Sequence, residues 1–212
     1  MNREILQVYF ICGTADCPKG NLLEVLEQAL QGGITCFQFR EKGEHALKGQ
    51  AKLDLVRRIQ RLCEFYQVPL IIDDDVMLAL EIGADGIHLG QKDLSIKEAR
   101  QLFPKKIIGL SVGTLEEYQM SDIDLVDYIG SGPVFPTISK DDARSAIGFD
   151  GLKKLRQANA TLPIVAIGGL TAKDIPDIKA TGVDGLAVIS AIARADNVKR
   201  TVKDFVAGYK ND

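Results

Sequence analysis

Strand-length apolar runs alternate with amphipathic helical patterns along the whole chain, and this alternation restricts the fold to a few architectures. The apolar runs are nearly continuous, which is typical of parallel strands that are covered on both faces. They lie at residues 7–12, 35–39, 70–73, 86–89, 107–111, 128–130, 164–167 and 185–188. The helical patterns lie at residues 22–31, 45–65, 79–82, 96–102, 115–120, 151–158, 173–180 and 198–209. About eight βα units therefore predict an α/β fold with a parallel sheet.

A short glycine-containing phrase recurs where a predicted helix ends and the next strand begins. Its copies are GGIT at 32–35, GADG at 83–86 and GVDG at 182–185. Glycine ends a helix readily because it adopts the left-handed conformation that turns the chain back. Since the phrase occurs near both ends of the chain, it favours a closed (β/α)8 TIM barrel over an open doubly wound sheet. No G-x-G-x-x-G follows the first strand, which weakens the dinucleotide-binding alternative.

Length and charge narrow the class of protein. The 212 residues, of which 46% are hydrophobic, suffice for one substantial core, so we predict a single barrel domain over residues 1–212. A net charge of −3 without a basic tract argues against a nucleic-acid partner. No apolar run reaches the roughly 18 residues that span a bilayer, and the N-terminus lacks a secretory signal. We therefore expect no membrane partner, while a homo-oligomer stays open.

The cysteines do not have the spacing of a zinc site. Cys12, Cys17, Cys36 and Cys63 form no C-x-x-C pair, and no histidine lies near the first two in sequence. Buried free thiols in a reducing compartment are the simpler interpretation. The chain is therefore expected to be cytoplasmic.

Cationic residues follow the second predicted strand, at the end of a barrel where active sites are built. Gln38, Arg40 and Lys42 occupy every second position, which places them on one face toward the mouth of the barrel. Two cations at one strand end require compensation. A bound anion would supply it, and the alternative is an internal salt bridge with Glu41 or a neighbouring aspartate.

Carboxylates follow the third and fourth predicted strands. Asp75 is placed to cap the helix that begins near residue 76, which leaves Asp74 available for a metal. Capping and solvation alone would also explain these adjacent aspartates. Asp93 lies on the next loop, and two carboxylates from neighbouring loops suit Mg²⁺, which also binds phosphate oxygens. His88 is interpreted as a packed strand residue, because magnesium prefers oxygen donors.

Hydroxyl groups follow the fifth and sixth predicted strands. Ser111 either donates to a leaving-group oxygen or, like Thr114, caps the helix near residue 115. The segment 130–140 is long for a βα loop, and such loops often bind ligands. Three of its residues can bind phosphate oxygens, namely Thr137, Ser139 and Lys140.

Backbone N–H groups that are free to bind an anion are expected at the ends of the last two strands. Glycines at 168–169 follow the seventh strand, and residues 188–190 open a short helix after the eighth. Backbone N–H groups and a positive helix end form the phosphate cradle common in barrels, although a plain turn would also explain the glycines.

The strand ends together predict two anion sites. The first suits a pyrophosphate, which cations and a metal would neutralise jointly. Its members are Arg40, Lys42, Lys140, Asp74 and Asp93. The second suits a monophosphate and uses backbone donors at Gly169 and Ser190.

Short motifs in a fixed order resemble those of the thiamine phosphate synthase family, also called thiamine-phosphate pyrophosphorylase. They are QFREK at 38–42, DDV at 74–76, GIHLGQKD at 86–93, GPVFPT at 132–137 with Lys140, AIGG at 166–169 and VIS at 188–190. Each motif is weak alone, but the ordered set spreads over nearly the whole chain and is specific.

The resemblance implies a Mg²⁺-dependent TIM-barrel transferase that joins a pyrimidine to a thiazole. Its substrates would be 4-amino-2-methyl-5-hydroxymethylpyrimidine pyrophosphate and the thiazole phosphate carboxylate or its decarboxylated form. Its products would be thiamine phosphate and pyrophosphate. The aminopyrimidine can support a benzylic-like cation, so loss of pyrophosphate would precede attack by the thiazole nitrogen.

The resemblance also implies roles for individual residues. Arg40, Ser111 and Lys140 would act on the departing pyrophosphate. Asp74 and Asp93 would hold Mg²⁺. The remaining substrate-binding positions would be Gln38, Lys42 and Asp73 for the pyrimidine substrate, and Thr137, Ser139, Gly169, Val188, Ile189 and Ser190 for the thiazole phosphate.

Two positions depart from the family pattern. Asp73 stands where asparagine is usual, and an ionised carboxylate cannot donate a hydrogen bond as an amide does. Gly113 stands where histidine is common. These departures keep open a non-catalytic thiamine-phosphate-binding protein. A second alternative is a thiazole tautomerase of the same superfamily, which shares the barrel and the thiazole phosphate site but lacks the complete pyrophosphate equipment.

Overall fold

Eight parallel strands form a closed barrel in the computed structural model, which describes residues 2–18, 20–137 and 145–210. Each strand pairs with the next along the chain, and β8 pairs with β1. The strands are β1 Val8–Cys12, β2 Cys36–Phe39, β3 Leu70–Asp73, β4 Gly86–Leu89, β5 Ile107–Ser111, β6 Tyr128–Ser131, β7 Ile164–Ile167 and β8 Gly185–Val188. The predicted (β/α)8 TIM barrel is confirmed.

Helices connect the strands and cover the outside of the barrel. They are α1 Leu22–Gly32, α2 Gly49–Tyr66, α3 Val76–Ile82, α4 Ile96–Leu102, α5 Leu115–Met120, α6 Gly148–Ala158, α7 Ile175–Ala180, α8 Ser190–Ala193 and α9 Val198–Lys210. Short 3-10 turns lie at Arg3–Leu6, Thr14–Asp16, Ile123–Leu125 and Ala172–Asp174. None of the helices in the described ranges is long and apolar enough to cross a membrane.

Two apolar cores result from the alternation of side chains along each strand. The larger core lies between the strands and the surrounding helices. The smaller core fills the barrel interior and includes Leu6, Tyr9, Ile11, Cys36, Ile71, Tyr128, Val165, Ala187 and Ile189. All four cysteines are buried and free, as predicted.

The predicted helix over residues 45–65 begins later than expected, at Gly49. The Glu41 carboxylate accepts a hydrogen bond from the backbone N–H of Leu47 at 2.8 Å, which holds the preceding segment in a loop. α3 begins at Val76, where the helix was expected to start, and Asp75 caps it by accepting from the Leu78 N–H at 3.0 Å. The predicted capping role of Asp75 is therefore confirmed.

The Thr or Asp of the recurring glycine phrase has a second role in the structure, and Asp127, which precedes β6 without such a phrase, shares this role. The polar residue directly before each even-numbered strand accepts a hydrogen bond from the first N–H groups of the odd-numbered strand beside it. The pairs are Thr35 with Val8, Asp85 with Leu70, Asp127 with Ile108, and Asp184 with Ile164, at 2.8–2.9 Å. Each side chain thereby joins two neighbouring strands at the amino-terminal end of the barrel.

Two of these aspartates also bind arginines from the helix layer. Arg100 on α4 donates to Asp127 at 2.7 Å, and Arg156 on α6 donates to Asp184. Both arginines also donate to backbone carbonyls at the ends of their own helices. A charged contact therefore ties helix to strand at two places around the barrel.

We predict that Asp184→Ala lowers the free energy of unfolding by roughly 3 kcal/mol. The Asp184 side chain is 9% exposed, so its removal leaves the Arg156 guanidinium and the Ile164 N–H without their partner in a nearly dry site. Chemical denaturation measures the change. Asp204→Ala, which removes an exposed pair with Arg200, serves as the control and should change stability by less than about 0.5 kcal/mol. Equal effects of the two substitutions would contradict the assignment.

Candidate active site

A cavity of about 370 Å³ opens at the carboxyl-terminal ends of the strands. Its wall comes from the ends of the strands and from the loops that follow β2 to β8. Most of the predicted site residues line it, namely Arg40, Lys42, Asp73, Asp74, Asp93, Ser111, Thr137, Gly169, Val188, Ile189 and Ser190. Residues that are far apart in sequence are thus brought to one concave surface.

Among the predicted site residues that the structure describes, Gln38 does not line this wall. Gln38 is 2% exposed and lies beneath the cavity, inside the barrel, where its amide donates to the Tyr9 hydroxyl at 2.8 Å. Ser139 and Lys140 lie outside the described residues. Their roles stay predictions.

The two cations after β2 are paired with the aspartate that ends β3. Arg40 Nε lies 3.4 Å from Asp73 Oδ2, and Lys42 Nζ lies 3.2 Å from the same oxygen. That oxygen is buried and accepts no well-aligned hydrogen bond from the described residues. Both cations therefore form a salt bridge with a neighbouring aspartate, as one of the two interpretations held. They also line the cavity, where an anion can reach them.

Lys42 also binds Asp74, the next carboxylate along the chain. Burial by itself would lower the pKa of Lys42, but the charges of Asp73 and Asp74 raise it above the ordinary value. The ammonium group therefore stays protonated. Glu41 points elsewhere, because its carboxylate accepts hydrogen bonds from the Thr14 N–H and hydroxyl.

Asp74 and Asp93 form a carboxylate pair. Burial, the nearby Asp73 charge and a hydrogen-bonding contact with Asp93 raise the pKa of Asp74 to about 6, although Lys42 opposes the shift. Asp93 Oδ2 also accepts from the Gly90 N–H at 2.6 Å, which orders the loop after β4. Negative charge is therefore concentrated at Asp74 and Asp93, and a bound cation would reduce the repulsion between the two carboxylates.

These carboxylates are compatible with a magnesium ion. Within residues 2–18, 20–137 and 145–210, no group of three or more His, Cys, Asp or Glu side chains is placed to hold a metal. The described chain would thus supply Asp74 and Asp93, and the other positions would belong to water or phosphate oxygens. Mg²⁺ commonly binds in this way.

The hydroxyl groups of Ser111, the last residue of β5, and of Thr114, in the following loop, have separate roles. Thr114 caps α5, because its side chain accepts from the Glu117 N–H at 3.1 Å. Ser111 lines the cavity, and its Oγ lies 2.9 Å from His88 Nε2. The capping alternative is therefore wrong for Ser111, and its hydroxyl is available at the cavity surface. His88 lies in the barrel interior as a strand residue, as predicted.

Glycines 168 and 169 are required by the turn after β7. Both have positive φ, 107° at Gly168 and 67° at Gly169, a region that side chains disfavour. A Cβ atom at Gly169 would lie 2.8 Å from the Phe135 Cβ. The glycines therefore do form a turn, as one of the two interpretations held. The same turn also forms part of the cavity wall, together with residues 188–190.

The sequence motifs did not indicate several other contacts of the site. Gln91 donates to the Ser111 carbonyl at 2.8 Å and so connects the loop after β4 to β5. Tyr9 and Tyr128 lie under the cavity with their hydroxyls 2.8 Å apart. Period-two alternation along β1 and β6 could have placed both tyrosines inside the barrel, where a buried hydroxyl needs a partner.

A closed parallel barrel with a cavity at the carboxyl-terminal strand ends is the architecture of the (β/α)8 class, in which enzymes place their active sites at this rim. The family model described as thiamine monophosphate synthase matches residues 8–192. The chain therefore belongs to the thiamine monophosphate synthase family, and the predicted family is confirmed. It is accordingly a transferase of thiamine biosynthesis that acts on small molecules.

Individual relatives agree with this membership. A thiamine-phosphate synthase from Streptococcus suis is 68% identical over 210 residues, which cover 99% of this chain and 92% of the relative. Thiamine-phosphate synthase 1 from Streptococcus pneumoniae is 53% identical over 204 residues, covering 96% and 98%. The solved structure of a thiamine phosphate pyrophosphorylase from Pyrococcus furiosus has a TM-score of 0.87 and 34% identity, covering 98% and 97%.

We predict that Asp73→Asn raises the affinity for inorganic pyrophosphate about tenfold, equivalent to roughly 1.4 kcal/mol. The substitution removes the carboxylate that Arg40 and Lys42 share, so Arg40 loses this partner, Lys42 keeps its contact with Asp74, and less negative charge opposes an external anion. Calorimetric titration at low ionic strength measures the change, because salt screens such charges.

Glu81→Gln is the matched control for this titration. It removes one negative charge from a side chain that pairs with Arg57 and does not line the described cavity. Affinity should be unchanged in this variant. If Asp73→Asn also leaves the affinity unchanged, Asp73 does not compete with the bound anion.

Proposed function

We propose that the chain couples 4-amino-2-methyl-5-hydroxymethylpyrimidine pyrophosphate with a thiazole phosphate to give thiamine phosphate and pyrophosphate. One observation carries the proposal: Arg40 and Lys42 share a cavity with the Asp74–Asp93 carboxylate pair and with the backbone of residues 168–169 and 188–190. Such a cavity can neutralise a pyrophosphate on one part of its wall and hold a monophosphate on another.

Mg²⁺ is proposed as the cofactor, held by Asp74 and Asp93. When bound, the ion would neutralise charge on the pyrophosphate oxygens. Two observations support this choice: Asp93 lies close enough to raise the pKa of Asp74, and both side chains line the cavity. Oxygen ligands with few protein contributions favour magnesium over zinc.

The chain's own residues would stabilise the leaving group. Arg40 and Lys42 can donate to pyrophosphate oxygens, and Ser111 can donate to the oxygen that bridges pyrimidine and pyrophosphate. Donors fixed in advance stabilise developing charge without reorganisation. Departure of the pyrophosphate would precede attack by the thiazole nitrogen. Lys140, outside the described residues, is proposed to bind the pyrophosphate as well.

The thiazole phosphate is proposed to bind at the other part of the cavity. Thr137 and the backbone at Gly169, Val188, Ile189 and Ser190 line this part. The N–H groups of Ser190 and Ala191 precede the first backbone hydrogen bond of α8, in which the Ile192 N–H donates to the Ile189 carbonyl at 3.2 Å, so these two groups are suited to donating to an anion. Ser139, outside the described residues, belongs to the same proposed subsite.

Names of the relatives support the synthase over the tautomerase alternative. The Streptococcus suis and Pyrococcus furiosus proteins are named for thiamine phosphate synthesis. The cavity also keeps Arg40, Lys42 and Asp93, which a tautomerase does not need.

The direct test supplies both substrates with and without Mg²⁺. We expect equimolar release of pyrophosphate and thiamine phosphate, and loss of both when a chelator removes the metal. Binding of thiamine phosphate without turnover, or isomerisation of the thiazole phosphate alone, would contradict the proposed reaction.

We predict that Asp93→Asn reduces magnesium-dependent turnover at least about a hundredfold while the fold is retained. An amide oxygen can still accept the hydrogen bond from the Gly90 N–H, so the loop keeps its support and the change is one of charge. Asp93→Ala, which loses both, should be equally inactive and less ordered locally. Circular dichroism checks the fold, and a wild-type rate in Asp93→Asn would refute the metal assignment.

A further inference from the structure

A row of hydrogen-bonded side chains crosses the barrel interior beneath the cavity. We call it the interior polar row, and its contacts are Gln38 Nε2 to Tyr9 OH at 2.8 Å, Tyr9 OH to Tyr128 OH at 2.8 Å, Tyr128 OH to His88 Nδ1 at 2.9 Å, and His88 Nε2 to Ser111 Oγ at 2.9 Å. The first four residues are buried. Of the five members of this row, Ser111 is the one that lines the described cavity.

Glycines make room for the row. The strand register places His88, Gly109 and Tyr128 at one level of the barrel. A Cβ atom at Gly109 would lie 2.2 Å from Tyr128 Cζ and 2.5 Å from His88 Nδ1. At Gly130 it would lie 3.2 Å from His88 Cε1. Glycine inside a strand weakens the strand and marks a close approach, which here is the contact between the two rings.

One direction of donation along the row gives every proton within it an acceptor. An amide nitrogen only donates, so the Tyr9 oxygen accepts from Gln38. Either hydroxyl can donate in the contact between Tyr9 and Tyr128, but only donation by Tyr9 gives its proton an acceptor within the row. The Tyr128 proton is then directed at His88 Nδ1. Burial raises the pKa of both tyrosines well above the ordinary value, so both hydroxyls keep their protons.

The direction of these hydrogen bonds determines the tautomer of His88 and the orientation of the Ser111 hydroxyl. A neutral imidazole that accepts at Nδ1 carries its proton at Nε2. His88 Nε2–H therefore donates to Ser111 Oγ. An oxygen that accepts this hydrogen bond directs its own proton elsewhere, and for Ser111 the open side is the cavity.

We propose that His88 is a positioning residue that, as the neutral Nε2–H tautomer, orients the Ser111 hydroxyl as a donor toward the leaving pyrophosphate. The proposal rests on the proposed function, because it specifies how Ser111 contacts the leaving group. His88 neither touches the substrate nor transfers a proton in this account. It differs from a general-base role, in which Nε2 would accept the Ser111 proton and Nδ1 would carry the hydrogen.

Nitrogen-15 resonances of histidine test the tautomer without any activity measurement. The chain has two histidines, of which His45 is exposed and His88 is buried, and His45→Gln assigns the signals. We expect His88 to show the coupling pattern of a neutral ring protonated at Nε2. A ring protonated at Nδ1, or at both nitrogens, would overturn the proposal. Because no substrate is needed, this result is independent of whether the proposed reaction occurs.

Substitution of His88 separates positioning from general-base catalysis. The terminal amide of His88→Gln can donate to Ser111 from about the place of Nε2, so this variant should keep kcat within about threefold. His88→Leu has no donor, and its kcat should fall at least about tenfold with KM unchanged. Equal losses in the two variants would refute positioning by a donated hydrogen bond.

Removal of one hydroxyl tests the row at a distance from the substrate. Tyr128→Phe takes away the donor to His88 Nδ1, so we expect the tautomer pattern to change and kcat to fall about tenfold. Tyr209→Phe is the matched control, because the Tyr209 hydroxyl is buried and has no hydrogen-bond partner among the described residues. A changed tautomer with full kcat in Tyr128→Phe would overturn the link to catalysis. If Tyr128→Phe does not fold, the nitrogen-15 resonances of the unaltered chain and the comparison of His88→Gln with His88→Leu still test the proposal.

Discussion

Closure of eight parallel strands in register is the constraint on which the rest of this molecule depends. Because each strand pairs with two neighbours, the residue that follows each strand is carried to the same rim. Side chains at the other end hold this arrangement in place, since Thr35, Asp85, Asp127 and Asp184 each bind the start of an adjacent strand. The stabilising contacts and the reactive groups are thereby separated to opposite ends of one barrel.

Crowding of charge at the rim is the direct consequence of that closure. Arg40 and Lys42 lie against Asp73, while Asp74 lies between Lys42 and Asp93. The ion pairs of Arg40 and Lys42 with Asp73 and Asp74 hold these groups together in the free protein, and some of these contacts have to be exchanged when an anion enters. The cationic groups that would stabilise a pyrophosphate are thus already oriented before the anion binds.

The interior of the barrel is less uniformly apolar than its position suggests. Tyr9, Tyr128 and His88 place three polar groups among aliphatic side chains, and each has a hydrogen-bond partner. Buried polar groups are tolerated when they are satisfied in this way, and a satisfied network adopts one arrangement. The packing of the core and the orientation of Ser111 at the cavity are therefore parts of the same structure.

Local signals in the sequence were enough to determine the strands, most helices and the order of the site motifs. Continuous apolar runs located β3, β4, β5, β7 and β8 at their observed bounds, and Asp75 was recognisable as a cap because capping involves residues three apart. The start of α2 was missed, because the Glu41 contact that holds Leu47 depends on how the loop folds. The sharing of Asp73 by two cations and the link from Gln38 to Ser111 were decided by tertiary structure alone. Both depend on the register between strands that are distant in sequence, and no local pattern of residues records which side chains that register brings together.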